Sequence, residues 1–269
     1  GQAGKALGMS AIASCAGGIF SALCLTFISP ELARIALSFS SPEYFAMGLL
    51  GLSIVASISG DYVVRGLISA CIGLLVGLVG LDNLNGYPRF TFGLVDMLNG
   101  VSFIPVLIGL FAVSEAMRTT ESMLKNVHVD FKLSGVLPSF KELRGCGKTI
   151  LKSSVIGTII GIIPATGGDI AAFLAYGEAK RSSKNGEKFG TGELEGVAAP
   201  EAANNGVTGG ALIPLLTLGI PGDAVTAIFL GALMLQGLRP GPLLFKDNAD
   251  LVYSIFAGMF LANVIFLLF

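Results

Sequence analysis

Charged side chains are scarce in this 269-residue chain, in which Asp, Glu, Lys and Arg together make up 13% of the residues. Soluble domains carry about 25% of such residues. Hydrophobic residues make up 53% of the chain, and the mean hydropathy is +0.78. The composition therefore excludes an ordinary soluble domain and predicts an all-α polytopic membrane protein embedded in the lipid bilayer. The net charge of −1 argues against nucleic acid as a partner.

Residues typical of catalytic and metal sites are also few. The single histidine, His128, lies in a charged segment without neighbouring Cys or His ligands, and the four cysteines lack the paired spacing of a zinc site. No serine or cysteine stands in the pattern of an activated nucleophile with its base. We therefore predict that the protein is not an enzyme and has no catalytic residue, no metal site and no cofactor.

Lysine and arginine are absent from residues 189–238 and are concentrated elsewhere. Of the 17 Lys and Arg residues, seven lie between Arg118 and Lys152 and four between Lys180 and Lys188. Cytoplasmic loops of membrane proteins carry an excess of these two residues. Both rich segments are therefore predicted to face the cytoplasm.

Long apolar segments between the charged ones are predicted to span the bilayer core, which is about 30 Å thick. These segments are 6–28, 44–59, 66–81, 98–117 and 251–269, with a connection from Pro30 to Pro42 and a turn-rich loop at 82–97. The predicted divisions are transmembrane scaffold helices at 1–117, a charged cytoplasmic loop at 118–152, a transport unit at 153–242 and the start of a further transmembrane helix at 243–269. Because the last segment ends within an apolar run, we expect the chain to be part of a longer protein.

Two of the apolar segments are interrupted by glycine and proline. They are Gly161–Phe173 (GIIPATGGDIAAF) and Thr217–Phe229 (TLGIPGDAVTAIF). Each pattern predicts a short helix, a break, an aspartate and a second short helix. Broken helices at membrane depth persist only where they are buried in protein or line a polar cavity, and a pair of them indicates a transporter's binding site. The alternative is a proline kink that only shapes the bundle.

The first break also predicts a re-entrant hairpin at 153–176. Its ascending leg, Ile150–Ile163, would be about 21 Å long as a helix, which is too short to cross the bilayer. Since both flanking segments are predicted to be cytoplasmic, the chain would turn back at Pro164–Gly168.

Acidic and amide side chains lie within these otherwise apolar segments. Asp169 and Asp223 follow the breaks with no Lys or Arg near them in sequence, so each is predicted to cap its helix or to bind a coupling cation. Glu201, Asn204 and Asn205 form a polar cluster between the breaks. Asparagine amides there could hold a carboxylate, complete a sodium shell or form hydrogen bonds between helices.

These stretches resemble a known family, the large membrane subunit of the bacterial tripartite tricarboxylate transporters, called TctA. The matching sequences are GIIPATGGDIAAFLAYGEAK, EGVAAPEAANNGVTGGALIPLLTLGIPGDAVTAIFLGAL and QGLRPGPLLF, with PEYFAMGLLGLS, GLLVGLVGLD and PRFTFGL upstream. The resemblance covers nearly the whole chain, which corresponds to the C-terminal part of such a subunit. The chain departs from the family pattern at Ala165, where the family usually has glycine.

The resemblance implies a multi-pass subunit of the bacterial inner membrane. Such a subunit takes a di- or tricarboxylate, such as citrate, from a periplasmic solute-binding protein and imports it by symport with Na⁺ or H⁺, together with a small membrane subunit. The predicted substrate-binding residues are Pro164, Thr166, Gly167, Gly168, Asn204, Asn205, Gly219, Pro221 and Gly222, and the predicted ion-coupling residues are Asp169, Thr217 and Asp223. The alternative from another class is a passive scaffold or an ion-channel subunit whose breaks only pack or gate.

Overall fold

The computed structural model describes residues 3–58, 62–82, 85–123, 137–164 and 166–268. The predictions made for His128 and Ala165 lie outside the described residues. The described residues are almost entirely helical, which confirms the all-α prediction. The chain divides into two compact units, one formed by Gly1–Ser38 with Lys125–Phe269 and the other by Phe39–Leu124. The functional divisions predicted from the sequence stay predictions.

Helices and two short strands follow one another along the chain. They are α1 (Ala3–Ala36), α2 (Ser41–Ile58), α3 (Val63–Gly77), β1 (Gly80–Leu81), β2 (Pro88–Arg89), a 3₁₀ turn (Val95–Asn99), α4 (Phe103–Leu107), a π-helical turn (Ile108–Val113), α5 (Ser114–Met123), α6 (Phe140–Ile162), α7 (Gly167–Ser182), a 3₁₀ turn (Gly186–Lys188), α8 (Glu195–Leu218), α9 (Ala224–Leu235), α10 (Leu244–Asp247) and α11 (Ala249–Leu268). In the Phe39–Leu124 unit, β1 and β2 pair antiparallel with Gly80 opposite Arg89.

Among the described residues, three helical segments are long and apolar enough to cross a membrane. They are α1, the continuous segment Phe103–Glu121 and α11. These correspond to the predicted spans at 6–28, 98–117 and 251–269. The predicted spans at 44–59 and 66–81 correspond to α2, with 18 residues, and to α3, with 15 residues.

Proline does not end every helix in which it occurs. α1 continues through Pro30 to Ala36, so the predicted connection beginning at Pro30 is wrong. Pro200 and Pro214 likewise lie inside α8. A proline removes one backbone N–H donor, and the hydrogen bonds of the neighbouring turns carry a packed helix past it.

α6 is longer than the sequence suggested. It has 23 residues and begins at Phe140, where Ser139 and Glu142 form a capping box. A helix of this length measures about 34 Å. The predicted start of the ascending leg at Ile150 is therefore wrong, and helix length does not argue for a re-entrant hairpin. The capping box satisfies backbone N–H groups at the start of the helix, so the charged residues before Ile150 also belong to the helix.

Contacts near one end of the larger unit fix the directions of four helices. Lys5 pairs with Glu142 at 2.9 Å, and Thr149 donates a hydrogen bond to Glu195 at 2.6 Å. α1, α6 and α8 therefore begin at this end and run parallel to one another. The Ser183 hydroxyl, directly after α7, also donates to Glu195. α7 therefore runs antiparallel to the other three.

α8 is the central helix of this unit, and it packs mainly against α1, α6 and α7. Glycine lets the backbones approach closely. A Cβ on Gly17 of α1 would lie 2.1 Å from the Ala202 carbonyl oxygen, and one on Gly157 of α6 would lie 2.1 Å from the Ala203 carbonyl oxygen. This is the small-residue packing typical of helices in membranes.

Candidate functional site

The first break separates α6 from α7 at residues 163–166. The Thr166 hydroxyl lies 2.6 Å from the Ile160 carbonyl oxygen, which also accepts from the Ile163 N–H, and 2.8 Å from the Ile163 carbonyl oxygen, so it ties the start of α7 to the end of α6. Gly167 then has a φ of 69°, a conformation that favours glycine. Thr166 is also the N-cap residue of α7, and its side chain makes no capping hydrogen bond there. The first N–H groups of α7 are therefore not capped by that side chain.

The second break follows α8 at residues 219–223. Gly219 adopts the left-handed conformation with a φ of 73°, and its N–H donates to the Leu215 carbonyl at 2.9 Å. This is the common glycine ending of a helix. Asp223 then caps α9: its carboxylate accepts from the Thr226 N–H at 2.7 Å, and the Thr226 hydroxyl accepts from the Asp223 N–H at 2.9 Å.

The two aspartates differ in their environment. The capping role expected for Asp223 is present as a complete capping box. Asp169 is exposed in the first turn of α7, whose N-cap position belongs to Thr166, so the expectation that Asp169 caps its helix is wrong. The sequence places both after a Pro/Gly break, but Gly167 begins α7 two residues before Asp169. Their proposed part in ion coupling stays a prediction.

The two breaks meet beside α8. A Cβ on Gly161, in the last turn of α6, would lie 2.7 Å from the Val207 carbonyl oxygen. A Cβ on Gly222 would lie 2.6 Å from both the Gly161 carbonyl oxygen and the Ala211 Cβ. The second break therefore turns back from the end of α8 and lies against the last turn of α6.

Consequently α7 and α9 both begin beside the central part of α8. A Cβ on Gly168 would lie 2.4 Å from the Asn204 Oδ1, which places the start of α7 at Asn204. Gly222 places the start of α9 near Ala211, about 10 Å further along the axis of α8. Helix N-termini carry free N–H groups and partial positive charge. The start of α7, which Thr166 does not cap, therefore favours an anionic group, whereas the Asp223 carboxylate already caps the start of α9.

A polar strip runs along the side of α8 between α1 and α7. We define it by four residues at helical spacing, Glu201, Asn204, Asn205 and Thr208. Asn204 and Thr208 are exposed, and the other two are half-buried. The strip is the polar surface that adjoins both breaks.

The two neighbouring asparagines face different partners. Asn204 lies against Gly168 at the start of α7. The Asn205 amide donates to the Glu201 carbonyl at 3.1 Å, within α8. The structure therefore brings Asn204 to the first break, whereas the Asn205 side chain forms its hydrogen bond within α8.

On its α1 side the strip is bonded to two serines. The Ser14 hydroxyl donates to the Glu201 Oε2 at 2.9 Å, and Ser14 is only 2% exposed. The Ser21 hydroxyl lies 3.3 Å from the Asn205 carbonyl oxygen and also accepts from the Gly209 N–H. These serines join α1 to α8 along the edge of the polar strip.

The remaining predicted site residues make contacts within the helices and breaks. Thr217 is fully buried, and its hydroxyl donates to the Ile213 carbonyl at 2.6 Å. A Cβ on Gly219 would lie 2.9 Å from the Pro240 carbonyl oxygen, so the loop after α9 returns to the end of α8. Pro164 and Pro221 lie within the two breaks and are half-buried. Within the described ranges, no group of three or more His, Cys, Asp and Glu side chains is placed to hold a metal ion.

Two cavities border these helices. The smaller, of about 310 Å³, lies along α7 and α8 and is lined by Asp169, Ala172, Phe173, Tyr176 and Pro200. The larger, of about 480 Å³, lies at the charged end, near Glu142, Lys152 and Glu195. We favour the smaller cavity as part of the site because it adjoins the first break, whereas the larger one is distant from both breaks.

Ionic contacts at the charged end stabilise the packing there. The Ser139 hydroxyl and Lys5 lower the pKa of Glu142 to about 2. Lys152 and Arg181 both contact Glu178 and lower its pKa. Burial, followed by the carboxylates of Glu195, Glu193 and Glu142, raises the pKa of Cys146 to about 11. The Cys146 thiol therefore stays protonated and unreactive at neutral pH.

Sequence reasoning missed three residues of this site: Thr208, Ser14 and Ser21. Thr208 follows Asn204 at the i,i+4 spacing of one helix face, so the spacing alone could have identified it. The two serines lie on α1, far away in sequence. Their contact with α8 depends on tertiary packing, which leaves no local signal.

Comparisons with known proteins agree with the sequence resemblance. The family model described as the tripartite tricarboxylate transporter TctA family matches residues 1–269. An uncharacterized 52.8 kDa protein of Agrobacterium vitis, from the TAR-I ttuC' 3' region, is 37% identical over 98% of this chain and 53% of its own length. An uncharacterized protein from the TAR-II ttuC' 3' region of the same organism is 43% identical over 40% of this chain and 45% of its own length. The chain thus spans about half the length of the first relative. No solved structure matches it.

Proposed function

Because the chain belongs to the tripartite tricarboxylate transporter TctA family, we propose that it forms part of the membrane subunit of a secondary carboxylate importer. The substrate is a di- or tricarboxylate delivered by a periplasmic solute-binding protein. A small membrane subunit completes the transporter, and an ion gradient drives import. The protein crosses the bacterial inner membrane several times, with the charged segments around α6 and after α7 in the cytoplasm.

The observation that carries this proposal is the start of α7 beside Asn204. The N-terminal N–H groups of α7 lack a side-chain cap, and the Asn204 amide lies against them on an exposed face. Uncapped N–H groups are suited to a carboxylate, and the Asn204 Nδ2 beside them would add a donor once the amide turns its oxygen away from Gly168. The start of α9 lies about 10 Å away along α8, where the Asp223 carboxylate already caps the helix, so we assign the substrate carboxylate to the start of α7.

In this proposal each predicted residue has a stated part. Gly167 and Gly168 offer backbone N–H groups, and Asn204 supplies a side-chain donor. Asn205 and Thr208 now donate to backbone carbonyls of α8 and would turn toward the substrate. Pro164, Thr166, Gly219, Pro221 and Gly222 shape the two breaks. Asp169, Thr217 and Asp223 are the candidates for ion coupling.

We also propose that α6 and α7 form a re-entrant hairpin, as first expected. Packing supports it better than length does. α6 and α7 meet beside residues 204–211 of α8, and α7 then returns to the charged end where α6 began. The segment 219–235 would enter the membrane from the side opposite to the α6–α7 hairpin. It leaves the end of α8, reaches back to Ala211 at Gly222, and the chain after it returns to the end of α8, where Pro240 contacts Gly219. Two opposed tips would then enclose the substrate at membrane depth.

The decisive experiment is uptake into proteoliposomes that hold the complete membrane subunit and its small partner. Radiolabelled citrate and succinate would be supplied with and without the binding protein, under an inward Na⁺ or H⁺ gradient. We expect uptake that needs both the binding protein and one gradient. Folded protein that neither accumulates nor exchanges any substrate of a di- and tricarboxylate panel would refute the transporter role and favour a passive scaffold.

Two substitutions test the site itself. We expect Asn204→Ala and Asn205→Ala each to abolish uptake without lowering the amount of protein in the membrane. The control is Asn185→Ala, because Asn185 is exposed in the loop after α7. Normal uptake in both site variants would refute the assignment of the polar strip to substrate.

A further inference from the structure

Glu201 is an acidic side chain without a cationic partner among the described residues. Its Oε2 accepts a hydrogen bond from Ser14 at 2.9 Å, and the ion pairs of the described chain do not include it. It lies inside α8, half-buried against α1. An acidic residue in a membrane-embedded helix is costly unless it has a function or a partner.

The position of Glu201 on the polar strip brings it close to the proposed substrate. Asn204 and Asn205 follow it at i,i+3 and i,i+4, and Thr208 lies two turns away on the same face. Side chains at such spacing are neighbours, about 5–6 Å apart at their Cβ atoms. A carboxylate bound at Asn204 would therefore stand next to the Glu201 carboxylate. Two adjacent carboxylates cannot both stay ionised without a large penalty, and one proton relieves it.

We propose that Glu201 binds the proton that is carried together with the carboxylate substrate. This inference rests on the proposed transport function and assigns its coupling ion. A proton joins the Glu201 carboxylate to form a neutral carboxylic acid when the anionic substrate binds. The same O–H bond breaks when the substrate leaves on the other side of the membrane, and the proton leaves with it. Since coupling is reciprocal, substrate raises the affinity for the proton as much as the proton raises the affinity for substrate.

The other titratable groups on the surrounding helices either have a partner of their own or can be separated from Glu201 by experiment. On α1, Lys5 is paired with Glu142, and Cys15 is a buried thiol. On α6, Lys152 is paired with Glu178 of α7.

On α7, Arg181 pairs with Glu178 and Lys180 lies in the last turn at the charged end, which leaves Tyr176 and Asp169. Tyr176 packs edge-on against Phe189. Asp169 is exposed in the first turn and is therefore the one other carboxylate beside the strip in the described part of the chain. The test must separate it from Glu201.

The surroundings of Glu201 suit a proton better than a metal cation. Hard cations are held by shells of several oxygen ligands. The described side-chain groups that could join Glu201 are the Ser14 hydroxyl, which already donates to it, and the Asn205 amide. The close approach of Gly17 to Ala202 also leaves little room between α1 and α8.

The first test is Glu201→Gln in the complete transporter, because glutamine resembles the protonated acid but cannot release a proton. Wild type should accumulate labelled citrate under a proton gradient and should also exchange external for internal citrate. We expect the variant to keep exchange and to lose gradient-driven accumulation by at least about tenfold. The matched control is Glu187→Gln, since Glu187 is exposed in the loop after α7.

Ser14→Ala tests the same site while keeping the carboxylate, and it serves if Glu201→Gln fails to fold. The Ser14 hydroxyl donates a hydrogen bond to the Glu201 carboxylate, so its loss changes the surroundings of the proposed proton site. The pH dependence of proton-driven uptake should therefore differ from that of wild type. Citrate binding to purified wild type should take up about one proton, and Glu201→Gln should take up none.

The outcomes separate this inference from the proposed function. A wild type that neither accumulates nor exchanges any tested carboxylate contradicts the transporter role itself. If wild type transports, then unchanged proton-driven accumulation in Glu201→Gln overturns the inference, as does an unshifted pH profile in Ser14→Ala. A strict Na⁺ requirement, or loss of coupling in Asp169→Asn with normal coupling in Glu201→Gln, also overturns it.

Discussion

Gly168 and Asn204 touch where α7 begins, so each residue limits what the other can be. The backbone of Gly168 comes close enough to the Asn204 amide that a methyl group would overlap its oxygen. Any larger residue at position 168 must push that amide away from the helix terminus. The geometry of the donor pair therefore depends on the absence of a single side chain.

We expect Gly168→Ala to reduce carboxylate uptake by at least about tenfold, because a displaced donor no longer meets the substrate in the required geometry. Gly177→Ala is the matched control. Gly177 lies on the same helix with nothing within 4 Å of an added Cβ, and alanine favours helix. Uptake per transporter and membrane abundance would be measured together. Equal uptake in the two variants would show that the Gly168–Asn204 contact has no part in transport.

Asp223 offers a second test at this scale, because its capping role and its proposed ionic role respond differently to substitution. Asparagine keeps the capping oxygen but removes the charge, whereas alanine removes both. We expect Asp223→Ala to lower stability by about 1 kcal/mol and Asp223→Asn to leave it nearly unchanged. Thermal unfolding in detergent measures the first effect, and gradient-driven uptake measures the second. Full uptake in Asp223→Asn would restrict Asp223 to capping.

Among the elements, α8 determines the arrangement of its neighbours through backbone contact. Gly17 of α1 and Gly157 of α6 both meet carbonyl oxygens of α8 at distances too short for any Cβ. The carbonyls belong to helical hydrogen bonds and cannot turn away. A side chain at either glycine must therefore separate whole helices.

Gly157→Ala should accordingly destabilise the protein by about 1–3 kcal/mol, the usual cost of overpacking a closely packed interface. The control, Gly147→Ala, lies on the same helix where an added Cβ meets nothing within 4 Å. We expect the control to unfold at the wild-type temperature or slightly above it. The measurement is thermal unfolding of the detergent-solubilised protein. A Gly157→Ala variant as stable as the control would mean that α6 and α8 can separate without cost.

The sequence predicted the ends of these helices better than their starts. α6 ends at Ile162, two residues before Pro164, and α8 ends at Leu218, directly before Gly219. A glycine with positive φ follows the end of each helix, Gly167 at the start of α7 and Gly219 directly after α8, and this conformation interrupts the helical path. Pro30 lacks such a glycine beside it, and α1 continues past it. The start of α6 was missed because its capping box lies among charged residues that composition assigned to a loop.

The meeting of the two breaks could not be predicted from local sequence. Each break carries its own glycine and proline signal, but the contact between Gly161 and Gly222 depends on how α6 and α8 pack. The same holds for the different environments of Asn204 and Asn205, since adjacent residues on a helix point about 100° apart. Sequence therefore identified the residues of the site and left their grouping open.

For the molecule as a whole, the direction of α8 decides on which side of the membrane each loop lies. α8 has 24 residues, or about 36 Å of helix, which is enough to cross the bilayer core. Its N-terminal end adjoins the lysine-rich turns after α7, and its C-terminal end adjoins Pro240. In the proposed topology the first end lies in the cytoplasm by the positive-inside rule, so the second end should face the periplasm.

Cysteine labelling in cells tests this orientation directly. The four native cysteines, Cys15, Cys24, Cys71 and Cys146, would first be replaced by alanine. We expect a membrane-impermeant maleimide to label Arg239→Cys in intact cells, because Arg239 is exposed next to the C-terminal end of α8. Lys184→Cys, exposed after α7, should react only after the cells are opened. Labelling of both positions from the same side would require α8 to enter and leave the membrane at one face. The two breaks could not then be opposed tips, and the binding site proposed between the starts of α7 and α9 would open toward a single compartment.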